Sequence, residues 1–307
     1  MVNRENKLII DAHCHIWDKS IISGGFKKLI DDGAKQMGLS DPSTLYDGSI
    51  ERLIREMEEA GIDKTVLLAL DGHIAFTANL TYKDYNDYVA NIVNEYPDKF
   101  IGFAGIDPRR GKEAIQELKR CIEELGLKGL KLWPLTGFYP DDLNFYSFYK
   151  RVQELEIPVL MHTGSGPPGT YIKYCQPIYV DKVAIDFPDM KIIMAHMGDP
   201  FTNQAISIAS KNFNVYLDIS AWEPVLKRVP AAFIQTLFQA KSACGIDKIL
   251  FGSDWPLFVS FLSLKDWVKG IRKLKIPPPL KLMGLTDFTE EDKDKILGIN
   301  AAKVLGL

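Results

Sequence analysis

The sequence predicts an α/β fold, a single-domain (β/α)8 TIM barrel spanning residues 1–307. Three observations carry this. Eight short apolar runs recur along the chain, amphipathic helical stretches separate them, and no Pro/Gly/Ser-rich linker or internal repeat divides the 307 residues. Short strands that are apolar throughout suit a parallel sheet covered on both faces. Eight such strands are the number that closes a barrel. An open doubly wound sheet is the competing arrangement. It ordinarily follows its first strand with a glycine-rich phosphate loop, whereas this chain's first strand runs into histidines.

The strand candidates are 8–12 (LIIDA), 64–70 (KTVLLAL), 100–105 (FIGFAG), 128–133 (KGLKLW), 157–162 (IPVLMH), 191–196 (KIIMAH), 214–220 (NVYLDIS) and 248–253 (KILFGS). Helical stripes lie between them. Ile50, Leu53, Ile54 and Met57 share one face over 49–60, and Gly61 stops that helix. Tyr85, Tyr88, Val89, Ile92 and Val93 do the same over 82–96, and Ile115, Leu118, Ile122 and Leu125 over 112–125. Segments 142–155 and 200–210 also read as helices. Thr289 and Asp292 stand at capping-box spacing, and Asn300 is placed to cap a last short helix. Two longer connections, about 17–48 and about 256–288, are expected over the C-terminal mouth, where barrel loops build active sites.

Composition narrows the class. The net charge is −3 with both signs scattered, and no basic run points to nucleic acid or an anionic membrane. The N-terminus lacks a signal-peptide core, and the longest apolar stretches are too short to span a bilayer. Cys14, Cys121, Cys175 and Cys244 show no CxxC spacing, which fits a reduced, cytoplasmic chain. A small-molecule substrate is the expected partner, and a homodimer is compatible with the sequence.

The polar residues at the strand ends carry the chemistry. "LIIDAHCHIWD" (8–18) places His13 and His15 two apart, on one face of a strand, with Cys14 on the other as a packed thiol. His162 ends strand five, His196 ends strand six, Asp254 follows strand eight and Lys131 lies near the end of strand four. Four of the chain's five histidines therefore fall at strand C-termini, which meet at one rim of a parallel barrel. Each alone has an ordinary structural explanation; together they indicate a metal site. The fifth, His73, reads as a loop residue.

The chain resembles the amidohydrolase superfamily, within it the amidohydrolase-2 group related to aminocarboxymuconate-semialdehyde decarboxylase. "IIDAHCH", "GLKGLKLWP", "IPVLMHTG", "FPDMKIIMAHMG" and "DKILFGSDWP" carry the resemblance over nearly the whole sequence. It implies one divalent metal, usually zinc, held by His13, His15, His162 and Asp254, with His196 as catalytic acid/base and Asp254 also able to take a proton. Three imidazoles and a carboxylate suit zinc and leave room for water. Asp11 shares strand parity with the two ligands and is expected to hydrogen-bond one of them. Lys131 is expected as an unmodified charge near the substrate, the alternative being a carbamate bridging two metals.

Arg109, with Arg110 beside it, and Lys131 are expected to read a substrate carboxylate. Trp133, Trp222 and Trp255, with Trp17, would make the pocket apolar. The expected activity is metal-dependent hydrolysis of a C–O or C–N bond in a small carboxylated substrate. The alternative is non-oxidative decarboxylation of an aromatic or unsaturated acid. A non-catalytic binding protein is disfavoured, because no expected polar position is missing.

Overall fold

Eight parallel strands run in sequence order around a nearly closed barrel: β1 (Ile10–Cys14), β2 (Lys64–Leu68), β3 (Phe100–Gly105), β4 (Gly129–Leu132), β5 (Val159–Met161), β6 (Ile192–Met194), β7 (Val215–Asp218) and β8 (Ile249–Leu250). The computed structural model describes residues 7–17, 21–22, 24–72 and 80–307. All eight expected strands are present, most of them shorter than the apolar runs that announce them. Beyond β8 the chain stays extended beside β1. Ala12 N donates to Phe251 O at 2.9 Å and His15 N to Trp255 O at 2.8 Å, which joins the last strand to the first.

Two apolar layers follow from strand alternation. Ile10, Ala12, Val66, Leu68, Ile101, Phe103, Leu160, Ile193, Ala195 and Leu250 fill the barrel interior. The opposite faces, with Leu67, Ala104, Leu130 and Leu217, pack against the surrounding helices. Ala301 and Val304, from the helix Asn300–Leu305, plug the lower end of the interior. Asn300 is therefore no cap. It lies inside a continuous helix that enters from a π-helical turn at Lys295–Ile299, and its amide donates to the carbonyls of Ile246 and Ile249, both at 2.8 Å.

The expected helices occur at Ile50–Ala60, Tyr82–Glu95, Lys112–Glu123, Tyr146–Glu154 and Thr202–Lys211. Gly61 ends the first of these in the left-handed conformation (φ 72°), and Thr289 and Asp292 form the expected capping box. The long connection after β8 only begins over the mouth. Its helix Leu264–Arg272 belongs to the outer ring, with Trp267 packed on Phe251 and Phe233. The connection after β1 holds a helix of its own, Gly24–Gln36.

One irregularity sets up the site. β1 pairs with β2 as Asp11–Thr65 and then Cys14–Leu67, so three steps on β1 match two on β2. This bulge reverses the facing of the strand. Before it, Ile10 and Ala12 point inward. After it, Cys14 and Ile16 join the outer layer, leaving His13 and His15 on the inner side.

Candidate active site

The polar layer lies directly above the apolar plug of the barrel. His13 and His15 both turn their Nε2 atoms toward Asp254 Oδ1, at 3.3 Å each. Lys131, 2% exposed, places Nζ 3.2 Å from His13 Nε2. His196 Nε2 lies 3.3 Å from His162 Nδ1. Ligand atoms of His13, His196 and Asp254 lie within 4.8 Å of one another, a group able to hold a metal ion. Five strand ends, of β1, β4, β5, β6 and β8, thus deliver all six of the polar residues predicted to converge.

Simple strand geometry does not deliver all of them. Ile193 and Ala195 face inward on β6, so regular alternation would turn His196 outward. The chain instead takes left-handed backbone at His196 (φ 60°) and Met197 (φ 48°), and again at Ala221 (φ 63°) and Asp254 (φ 50°). Each such residue without a glycine's freedom costs on the order of 1–3 kcal/mol, strain characteristic of functional sites. The Trp222 indole N–H donates to the His196 carbonyl at 2.8 Å and so fastens the turn. Gly252 is needed here for a different reason: an added Cβ would come within 3.0 Å of the His13 Cβ and 3.2 Å of the Ser220 Cβ.

Hydrogen bonds fix the histidine tautomers. His13 Nδ1 donates to Asp218 Oδ2 at 2.9 Å, which leaves the Nε2 lone pair facing Asp254 and Lys131. His162 Nε2 donates to the Ser165 carbonyl at 2.9 Å, which leaves the Nδ1 lone pair facing His196. Ser220 Oγ sits 2.8 Å from His196 Nδ1 and 3.1 Å from His13 Nδ1. Asp218 and Ser220 went unnoticed in the sequence, although both end the β7 run with inward parity in "VYLDIS". Asp11 does not serve the imidazoles. The bulge removes it from their face, and its carboxylate accepts from the backbone N–H groups of His13 and Ser253 at 3.1 and 3.0 Å.

The electrostatics match a cation site. Burial holds the His13 and His162 imidazoles well below their ordinary pKa, with Lys131 and His196 respectively adding to the effect, and burial also lowers His15. All three are therefore neutral and carry free lone pairs, the form that binds metal. Burial acts to raise the Asp254 carboxyl, but His13, His15 and His196 outweigh it and hold it well below the usual carboxylate range. Lys131 is pushed down to about 8 by burial, against the pull of Asp254 and Asp218. Two neutral imidazoles beside one ionised carboxylate, with the free Nδ1 of a third facing His196, fit a divalent ion by donor type and charge.

The site opens into a cavity of about 380 Å³. His15, His162, His196 and Asp254 form its floor, and Trp17, Trp133, Trp222, Leu70, Leu257 and Phe258 line its walls. Phe26, Leu29, Ile30 and Met37 of the helix Gly24–Gln36 make the roof. Trp255 is not in the lining; it is buried beneath, and its indole N–H donates to Glu56 at 2.8 Å. Lys131 lies under His13 rather than on the cavity wall. Arg109 is also elsewhere. Its guanidinium lies on Asp107 and Thr136, with Nε 2.9 Å from Asp107 Oδ1 and a further nitrogen 2.9 Å from Thr136 Oγ1. Arg110 is held by Asp71 at 2.6 Å. His73 lies outside the described residues.

The family profile described as Amidohydrolase matches residues 10–307. The chain belongs to the amidohydrolase family. It is 26% identical to 2-amino-3-carboxymuconate-6-semialdehyde decarboxylase of Dictyostelium discoideum, an alignment covering 97% of this chain and 84% of that protein. It is also 26% identical to gamma-resorcylate decarboxylase of Polaromonas sp. (strain JS666 / ATCC BAA-500), covering 84% of this chain and 87% of that one. A crystal structure of dihydroxybenzoic acid decarboxylase from Polaromonas sp. JS666, with bound manganese and the inhibitor 2-nitroresorcinol, superposes with a TM-score of 0.67. It shares 22% identity and covers 98% of this chain and 97% of that chain.

These comparisons make the chain an amidohydrolase-family enzyme and overturn the expectation of hydrolysis. The similar proteins are mainly decarboxylases, which matches the alternative of decarboxylation. The sequence could not separate the two because both reactions use the same strand-end residues. Among the described residues, no helix is long and apolar enough to cross a membrane.

Proposed function

We propose that this enzyme is a metal-dependent, non-oxidative decarboxylase of an aromatic or unsaturated carboxylic acid. One observation carries the reading beyond the family: a cation-binding set of neutral imidazoles and an ionised carboxylate forms the floor of an apolar, aromatic-walled pocket. A substrate's acid group belongs at that floor, and its ring or conjugated chain belongs between Trp17, Trp133 and Trp222.

His13, His15, His162 and Asp254 would hold a single divalent ion. Zinc suits this donor set, and manganese, present in the Polaromonas structure, is the other candidate. Such an ion, when bound, supplies positive charge that orients the substrate carboxylate. The protein's own groups do the rest. His196, with Nε2 in the site and Nδ1 beside Ser220, hands a proton to the carbon that bears the carboxylate. The C–C bond then breaks, its electron pair returns to the ring or conjugated system, and CO2 leaves. Overall, RCO2⁻ and one proton become RH and CO2. The aromatic walls exclude water from the protonated intermediate. Lys131 adds a buried positive group beneath His13.

The reading is tested with zinc- and manganese-loaded protein. Hydroxybenzoates and muconate-type acids are offered beside lactones and N-acyl compounds, and CO2 is followed separately from acid release. CO2 and the decarboxylated product are expected in equal amounts from at least one of these acids. Acid released from a lactone or amide without CO2 would overturn the reading.

A further inference from the structure

We propose that this pocket selects a monocarboxylate with an apolar body, and that Asp199 is the residue that turns away a second carboxylate. The inference rests on reading the site floor as the place that takes the acid group.

Away from that floor, the cavity lining carries few polar side chains. Gln36 projects from the roof helix, and Asp199 lies on the wall beyond β6. The rest is mainly apolar, including Phe26, Ile30, Met37 and Leu257. Among the described residues, no lysine or arginine lines the cavity. The arginines nearest in sequence to a strand end are committed to Asp107 and Asp71.

Asp199 is fixed in place. Its backbone N–H donates to the His196 carbonyl at 3.1 Å, and its own carbonyl accepts from Ser165 N–H at 2.8 Å. These two bonds tie it to the loops that carry His196 and His162. Its carboxylate has no hydrogen-bond partner among the described side chains, and the residue lines the cavity where that wall opens to solvent. A second substrate carboxylate in this wall would meet that charge and lose its own hydration without gaining a cation. Specificity of this kind comes from repulsion as much as from attraction. A hydroxyl or amine on the substrate would instead find an acceptor in Asp199.

The roof agrees with this reading. The helix Gly24–Gln36 turns Phe26 and Ile30 inward, with Phe26 edge-on to Trp17 at 5.3 Å. Its Gly33 approaches Pro167 on the loop after β5, where an added Cβ would sit 3.9 Å from the Pro167 Cβ. The apolar end of a ligand is thus covered, not merely tolerated.

The test separates binding from turnover. 2-Naphthoate and naphthalene-2,6-dicarboxylate are titrated calorimetrically into the metal-loaded protein and into the metal-loaded Asp199→Asn variant. The monoacid is expected to bind at least tenfold tighter than the diacid, and Asp199→Asn should narrow that ratio at least threefold. Equal or tighter binding of the diacid overturns the proposal. So does a ratio unchanged in Asp199→Asn, or no saturable binding of 2-naphthoate. If the binding preference holds but no acid yields CO2, the decarboxylase reading fails and the pocket's selectivity stands.

Discussion

His13 Nδ1 donates to Asp218 Oδ2 across 2.9 Å, and neither side chain is exposed to solvent. This contact, linking residues 205 positions apart, decides which imidazole nitrogen offers its lone pair to the site. Asp218→Asn puts an amide where a pure acceptor stood. Metal affinity is expected to fall by ~10–100-fold, the range for a lost partner of a metal-bound histidine, with the fold retained by circular dichroism. Unchanged affinity by competitive chelator titration would show that the tautomer is set elsewhere.

The two histidines facing each other at 3.3 Å should separate by function. His162 offers Nδ1 because Ser165 occupies its Nε2. His162→Ala is therefore expected to lose most bound metal. His196→Ala should keep near-stoichiometric metal while turnover falls by ~10²–10⁴-fold. Elemental analysis of both variants decides. Metal loss from His196→Ala alone would assign the ion to the His13–His196–Asp254 group instead.

Acid should destabilise the metal-free protein earlier than its carboxylates alone would. His13, His15 and His162 have folded-state pKa values below 6.5, so below that pH the unfolded chain binds protons that the folded chain refuses. Stability is then lost as pH falls from about 6.5, by about 1.4 kcal/mol per pH unit for each net proton. Asp11 works in the opposite direction. Burial raises it to about 7 from 3.8, so its unfavourable contribution grows as pH rises across that window. Asp11→Asn should therefore steepen the loss on acidification. Urea midpoints at pH 5, 6, 7 and 8 measure both effects, and a flat profile from 8 to 5 would contradict them.

The C-terminal plug should matter to stability and not to chemistry. Asn300→Ala removes two donors from buried carbonyls of Ile246 and Ile249. The Ile246 carbonyl keeps the Ile249 N–H, so the expected cost is about 1–3 kcal/mol, chiefly from the Ile249 carbonyl, read from urea denaturation, with metal content unchanged.

Much of this was legible in the sequence because it is local. Each strand announced itself by an apolar run, and His13, His15, Lys131, His162, His196 and Asp254 by the place where that run stopped, whereas Asp218, just as buried, passed as part of the β7 run. The helix Pro230–Cys244 was harder to see. Its apolar residues, among them Ala231, Ala232, Phe233, Ile234, Leu237 and Phe238, are spread around the axis rather than in one stripe. The roof helix Gly24–Gln36 carries Phe26, Ile30 and Ala34 at helical spacing, but it sits in a connection with no strand to frame it. Arg109 was misplaced for another reason. Its carboxylate partner is Asp107, two residues away in the loop, and sequence alone does not tell a cation already paired from one awaiting a ligand.

The bulge in β1 has a practical meaning for anyone transplanting this site. Copying His13, His15, His162, His196 and Asp254 onto the strand ends of another eight-stranded barrel would place the first two against its helices if that barrel's β1 runs straight. Straightening β1 at unchanged length would do the same to this protein, exchanging the imidazoles for a thiol at the mouth, whereas deleting Ala12 together with the bulge would leave His13 and His15 facing inward by plain alternation. Moving the two histidines to another barrel therefore means carrying either the surplus residue or a one-residue change of register along with them.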